Sequence, residues 1–234
     1  MTAVLFVVTG ADHWTLADGS PHPTGYWGQE LAEPHRLLTE AGFTVAVATP
    51  GGVTPTVDKA SLTAQANGGQ EQADEIAAYL RSIEGELKRP LKLEEVDLAD
   101  YDAVLYPGGH GPMEDLAVDA HSGRLLTEAL DSGKPVAVLC HAPAALLAAR
   151  REDGSWPFAG YRMTGFSNEE ETAAGLAGKA KWLLEDRLVE SGADYSAGPA
   201  YAPYTVADRN LRSGQNPASS ADLARELIDV LKKR

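Results

Sequence analysis

Cysteine is almost missing from this chain. One residue, Cys140, stands alone among 234, which excludes an intrachain disulfide framework and suits a reducing cytoplasm. Positive charge is scarce as well. The 20 Lys and Arg against 34 Asp and Glu leave a formal net charge of −14, with a sequence pI near 4.8. No basic run compensates, so nucleic acid and anionic membrane surfaces, both negatively charged, are not expected as partners. No apolar run approaches the ~20 residues of a membrane span. The apolar stretch Ala3 to Val8 has no basic segment before it and stops at Thr9-Gly10, so it reads as a first strand rather than a targeting segment. Internal repeats and low-complexity tracts are absent. A soluble cytoplasmic protein is expected.

What is there suits a layered α/β fold. At 234 residues and 44% hydrophobic content, the chain can bury a full core, and one domain over 1–234 is expected, with loop or helical insertions around 11–28 and 58–98. After the first strand, Ala11 to Gly28 is a long polar loop, and loops of such length in a compact domain are often functional. Gln29 to Glu40 reads as a helix with Leu31, Leu37 and Leu38 on one side and Gly42 beyond its end. Thr44 to Thr49 is a strand, Gln70 to Ile83 a helix, and the charged stretch Glu84 to Asp100 a connection. Tyr101 to Tyr106 is a strand that stops at Pro107-Gly108-Gly109, and a helix covers Gly123 to Asp131. Gly160 to Thr164 is a short strand, and GFSNEEE leads into a long amphipathic helix carrying Leu176, Leu183, Leu184 and Leu188. Tyr201 to Ser213 reads as a hairpin at the sheet's end, and Ala221 to Lys232 as a last helix. This alternation predicts a mainly parallel sheet sandwiched between helices.

Reactivity concentrates at Lys134 to Leu147, KPVAVLCHAPAALL. Val136 to Leu139 is a short apolar run of the kind that forms a central parallel strand covered on both faces. Ala144 onward has helical character, with Pro143 tolerable in the first turn. The strand-to-helix turn therefore falls at Cys140-His141, at the carboxyl end of the sheet, where open α/β folds bind ligands. A sulfur there lies near a helix N-terminus, which favours thiolate over thiol, with His141 beside it as base or cation partner. The plain alternative is a small buried hydrophobe.

Gly108-Gly109-His110-Gly111 follows a strand end in the same way, and neighbouring strand ends would bring the two loops together. A main-chain N–H of this loop could then pair with that of His141 as an oxyanion hole; by itself a glycine-rich loop is more often a tight turn. It is not a phosphate-binding loop, which needs a later Lys followed by Ser or Thr. Glu30 opens its helix, and Glu169, Glu170 and Glu171 open theirs. Acids in a first turn are favoured by the helix dipole alone, but either group could supply the carboxylate that orients a histidine. His13, His22, His35 and His121 show no metal-ligand spacing, and loop or surface positions are expected for them.

YDAVLYPGGHGPMEDL, KPVAVLCHAPAALL, TGFSNEEE and NLRSGQNPASS, in that order and with GYWGQELAEPHRLLTEAGFTVAVATPGG before them, resemble the class I glutamine amidotransferase-like superfamily of ThiJ/PfpI type. Within it the chain is similar to the glyoxalase III and heat-shock chaperone branch. The resemblance runs from first strand to final helix and implies a flavodoxin-like fold with a nucleophile-elbow cysteine. It implies Cys140 as nucleophile, His141 as catalytic histidine, and Glu30 as a carboxyl that hydrogen-bonds the cysteine and assists proton transfer. The third triad member falls on Glu171, with Glu170 as the fallback, and the oxyanion hole on the Gly108-Gly109 turn and His141, through the backbone of Gly109 and His141. Two positions depart from the branch: Ala142 replaces a glycine, and Glu114 replaces a tryptophan expected near the pocket entrance. The members are often homodimers.

The resemblance implies a glutathione-independent glyoxalase (D-lactate dehydratase type) acting on methylglyoxal or related 2-oxoaldehydes, with no cofactor and no metal. The alternatives are a thiol-dependent deglycase or hydrolase and a holdase chaperone or stress-response protein. A glutaminase of the amidotransferase type fits least, since no histidine follows His141. An exposed low-pKa thiol would also be open to oxidation, so redox sensing at Cys140 is a further expectation.

Overall fold

The computed structural model describes residues 2–234. Seven strands form one sheet, in the order β10 (Thr205–Asp208), β11 (Leu211–Gly214), β7 (Val136–Leu139), β6 (Ala103–Tyr106), β1 (Ala3–Val7), β4 (Thr44–Thr49) and β5 (Leu91–Lys92). The first strand, β1 (Ala3–Val7), runs parallel to β4 (Thr44–Thr49) and to β6 (Ala103–Tyr106), pairing Phe6 with Val47 and with Leu105. Next to β6 lies β7 (Val136–Leu139), again parallel, with Leu105 opposite Ala137. The side chains of Val4 to Val8, Val104 to Tyr106 and Val136 to Leu139 are all fully buried, as strands covered on both faces require. The expected hairpin is β10 (Thr205–Asp208) and β11 (Leu211–Gly214), with β10 the one antiparallel strand of this sheet.

Helices flank the sheet. α1 (Gly28–Glu40) packs on α2 (Gln70–Ser82) and on the C-terminal α8 (Ser220–Leu231), which buries Leu223, Ala224, Leu227, Ile228 and Leu231. α5 (Ala120–Asp131) begins at Asp119, whose side chain accepts the Ser122 N–H, and packs on residues 142–148. The charged stretch after α2 is more ordered than a connection. It contains α3 (Glu84–Leu87) and β5 (Leu91–Lys92), which extends the sheet edge beside β4.

Three expectations are corrected. The long loop after β1 carries a small hairpin of β2 (His13–Thr15) and β3 (Pro21–Pro23), which brings Trp14 to the interior at 1% exposure. The segment after Cys140, Ala142–Ala148, is a 3-10 helix rather than an α-helix. Its neighbour α5 approaches so closely that a side chain at Gly123 would stand 2.3 Å from the Ala148 carbonyl. The single long helix from Asn168 is two short ones, α6 (Asn168–Ala173) and α7 (Leu184–Glu190). Gly175, at φ 75°, stops the first, and the Leu176 N–H returns to the Glu171 carbonyl at 3.1 Å, a glycine-terminated C-cap. The remaining elements, α4 (Gly111–Glu114), β8 (Arg162–Met163) and β9 (Asp194–Tyr195), are short.

Candidate active site

The end of β7 makes a tight elbow. Cys140 has a left-handed φ of 59°, unusual for a residue with a side chain. The conformation is held from both sides, by the Cys140 N–H on the Gly214 carbonyl at 2.9 Å and the Phe166 N–H on the Cys140 carbonyl at 2.8 Å. The adjacent β6 end supplies Gly108, where a Cβ would lie 2.4 Å from the Leu139 carbonyl and 2.6 Å from Glu30 Oε2. Only glycine allows that approach. The Trp27 N–H bonds the Gly108 carbonyl at 3.0 Å, so the start of α1 is tied to the same loop. Glu30, in the first turn of α1, thereby reaches the cysteine.

The structure brings together Cys140, His141, Glu30, Glu171, Gly108 and Gly109. His141 Nδ1 stands 3.3 Å from Cys140 Sγ, and His141 Nε2 bonds Glu171 Oε2 at 2.6 Å. The Nε2–H donates to the carboxylate, which leaves Nδ1 as the acceptor facing the thiol. Glu30 Oε2 accepts the Gly108 N–H at 2.8 Å, Oε1 has no partner, and the carboxyl lies near enough to Cys140 that its charge acts on the thiol.

Glu170 and Glu171 divide sharply by role in the geometry. Glu170 is fully buried and caps its own helix, accepting the N–H and Oγ–H of Ser167 on Oε2 at 2.9 and 3.0 Å. Its Oε1 receives the Tyr201 N–H and Asn216 Nδ2, both at 2.8 Å. Glu171 points instead at the histidines.

Burial governs the charges. It pushes the Glu30 carboxyl up to about 8. It also pushes the Cys140 thiol well above its ordinary value, and the neighbouring Glu30 adds to that rise. Cys140 is 3% exposed. The expected exposed, thiolate-favouring cysteine is therefore corrected: the resting sulfur is a buried thiol, and the segment after it offers 3-10 turns in place of an α-helical dipole. Burial would raise the Glu171 carboxyl too, but the charge of His141 and the hydrogen bonds from His110 and His141 outweigh it and hold the group well below the usual carboxylate range.

Residues 24–230 match the DJ-1/PfpI family. The chain belongs to this family. A bovine (Bos taurus) relative, glutamine amidotransferase-like class 1 domain-containing protein 1, is 35% identical over 82% of this chain and 82% of its own length. The protein/nucleic acid deglycase HchA of Staphylococcus aureus is 30% identical, covering 97% of this chain and 79% of its own. The crystal structure of glyoxalase III from Candida albicans superposes with a TM-score of 0.82 at 23% identity over 97% of this chain and 96% of that one, a likeness of fold.

Within this DJ-1/PfpI chain, several neighbours of the cysteine carry no obvious mark in the sequence. His110 bonds Glu171 Oε1 at 2.9 Å and stacks on Trp14 with ring centroids 5.0 Å apart. Phe166 lies 4.5 Å from the His141 ring. Glu114 does not stand free at an entrance: it accepts the Thr15 N–H and Oγ1–H, each at 2.8 Å, and so fastens the hairpin that carries Trp14. His35 is not on the surface but 2% exposed, bonded to Tyr79 at 2.8 Å and Glu86 at 3.2 Å.

His110, His141 and Glu171 offer ligand atoms within 4.8 Å of one another. Their N–O separations of 2.6 and 2.9 Å are shorter than the about 3.3 Å between ligand atoms around a tetrahedral zinc. The set is arranged for shared protons. A cleft of about 820 Å³ is lined by Trp27, Asn67, Tyr201 and Asn216 among others, and by none of Cys140, His141, Glu30 and Glu171.

Proposed function

We propose that the chain is a glutathione-independent glyoxalase that converts methylglyoxal or related 2-oxoaldehydes to 2-hydroxy acids through Cys140. The observation that carries this reading is the pair of proton-handling groups beside one sulfur: His141 Nδ1 at 3.3 Å and the buried Glu30 carboxyl, near enough that it and the thiol act on each other's proton affinity. Hydrolysis by a thiol needs one base. Moving a proton between adjacent carbons calls for a second carrier, and a carboxyl lifted to about 8 is able to hold and release a proton near neutral pH.

The steps follow from the positions. His141 Nδ1 takes the thiol proton, with Glu171 holding Nε2–H and stabilising the charge that forms. The sulfur adds to the aldehyde carbon, forming the S–C bond, and the new oxyanion meets the N–H groups of Gly109 and His141 before it is protonated to a hemithioacetal. Glu30 supplies that proton and, now a carboxylate, removes the proton on the same carbon and returns it to the neighbouring carbon through an enediol, while His141 passes its proton to the ketone oxygen and takes one back from the hemithioacetal hydroxyl. The aldehyde carbon is oxidised and the ketone carbon reduced, so no external redox partner is needed. Water then adds to the thioester, the C–S bond breaks, and the hydroxy acid leaves with the thiol restored. This chemistry draws on no metal, nicotinamide or glutathione.

A second reading has its own support. The relative named a deglycase matches 97% of this chain. A thiol-dependent deglycase or hydrolase would use the same Cys140 on a larger adduct.

The test is D-lactate formation from methylglyoxal by purified protein without glutathione or metal, run beside methylglyoxal adducts of N-acetyl-arginine and N-acetyl-lysine. Turnover of the free aldehyde, absent in Cys140→Ala, supports the glyoxalase reading. Turnover of the adducts at rates above release of free aldehyde favours the deglycase, and neither activity would sink both.

A further inference from the structure

Glu171 is 3% exposed and has two carboxylate oxygens to satisfy. His141 Nε2 uses Oε2 at 2.6 Å. His110 Nε2 uses Oε1 at 2.9 Å. Among the described residues no other group donates to this side chain, so the carboxylate is shared by two imidazoles whose ring centroids are 4.0 Å apart.

His110 cannot leave this position cheaply. Its ring is stacked on Trp14 at 5.0 Å and 19°. Its backbone follows Gly109, whose φ of 92° suits glycine and where a Cβ would fall 2.4 Å from the Gly25 carbonyl. Burial, with His141 nearby, lowers the His110 pKa, so the ring is a neutral donor to Glu171 rather than a second cation.

We propose that His110 is a positioning residue for the cysteine chemistry: by donating to the Glu171 oxygen that His141 leaves free, it fixes the carboxylate whose other oxygen orients the His141 ring toward Cys140. The inference rests on the role given to Cys140 and His141 above. A buried carboxylate with one bare oxygen leaves an acceptor unsatisfied and free to turn toward another donor, which would carry the His141 ring with it. With His110 in place, both oxygens are held and His141 Nδ1 stays on the sulfur. Other titratable groups also face the two rings. His22 meets His110 edge to face at 6.1 Å, Asp58 acts on it through charge, and Cys140, Glu30 and Tyr201 lie on the sulfur side. All stay in place in the test below.

The test compares wild type, His110→Phe, which keeps a stacking ring without a donor, and His110→Gln, whose amide nitrogen can donate. Two profiles are recorded against pH: kcat/KM for methylglyoxal, and the rate of Cys140 alkylation by iodoacetamide, which reports one site because the chain has one cysteine. In His110→Phe both rates are expected to fall by about 10-fold across the pH range, and His110→Gln should recover most of the loss in both. Rates in His110→Phe equal to wild type, or a loss that His110→Gln does not recover, would overturn the proposal and leave His110 as packing alone. If no aldehyde is turned over, the glyoxalase reading fails but the alkylation profile still decides the role of His110.

Discussion

His141 Nδ1 lies 3.3 Å from Cys140 Sγ, and the residue that carries the sulfur is held at φ 59°. Close placement and backbone strain have one cause, a sharp turn that lifts the side chain off the strand end. A residue with a Cβ in this region costs on the order of 1 kcal/mol that glycine avoids. Cys140→Gly should therefore be more stable than Cys140→Ala by about 1 kcal/mol in urea unfolding, although both lack activity. Equal stabilities would mean the elbow is unstrained.

Adjacent acids should respond in opposite ways. Glu170 satisfies the Ser167, Tyr201 and Asn216 donors, so Glu170→Gln turns an acceptor into a donor among buried donors and should cost about 2–4 kcal/mol in unfolding free energy. Glu171→Gln should instead lower kcat/KM by about 10²–10⁴-fold, because His141 loses the carboxylate that orients it. Denaturation and kinetics on the two variants separate these outcomes, and a reversal would exchange their roles.

Glu30 gives a pH signature. Its folded value, near 8, lies above the ordinary 4.5, so the native state binds the proton more tightly than the unfolded chain does. Stability from this group is full below about 4.5 and declines as pH rises toward 8. Glu30→Gln removes the decline, and the variant should gain on wild type across that window by an amount on the order of a few kcal/mol. Parallel curves of unfolding free energy against pH would show that Glu30 is ionised in the native state.

The Glu114–Thr15 contact should control the hairpin over His110. Glu114→Ala removes both bonds to Thr15, which together hold the strand carrying Trp14. Amide exchange over residues 12–24 is expected to speed up by about 10-fold while β1 is unchanged, with a rise in KM. Unaltered exchange in the hairpin would show that packing of Trp14 suffices.

Much of this was legible in the chain. The parallel strands announced themselves as short apolar runs, and Cys140, Glu30 and the Gly108-Gly109 turn fell at their carboxyl ends because chain order and sheet order agree there. The TGFSNEEE resemblance pointed to Glu171, yet only side-chain direction separates it from Glu170, since both occupy a first helical turn. His110 and Trp14 were not legible as site residues, because their meeting depends on a hairpin within a stretch that lacks periodicity. The 3-10 form of the segment after Cys140 goes with its close packing on α5, which no local pattern carries, whereas the division of the long helix after Ser167 does have a local cause, the left-handed Gly175. The thiol's protonation could not be read from a turn position, since burial decides it.

The most direct test of the account is rapid-quench mass spectrometry of the Cys140 peptide after mixing with methylglyoxal. A lactoyl adduct on Cys140 that forms before D-lactate and decays as D-lactate accumulates is the expected result. D-lactate appearing while Cys140 stays unmodified at every time point, with Cys140→Ala turning over equally well, would contradict covalent catalysis by this cysteine.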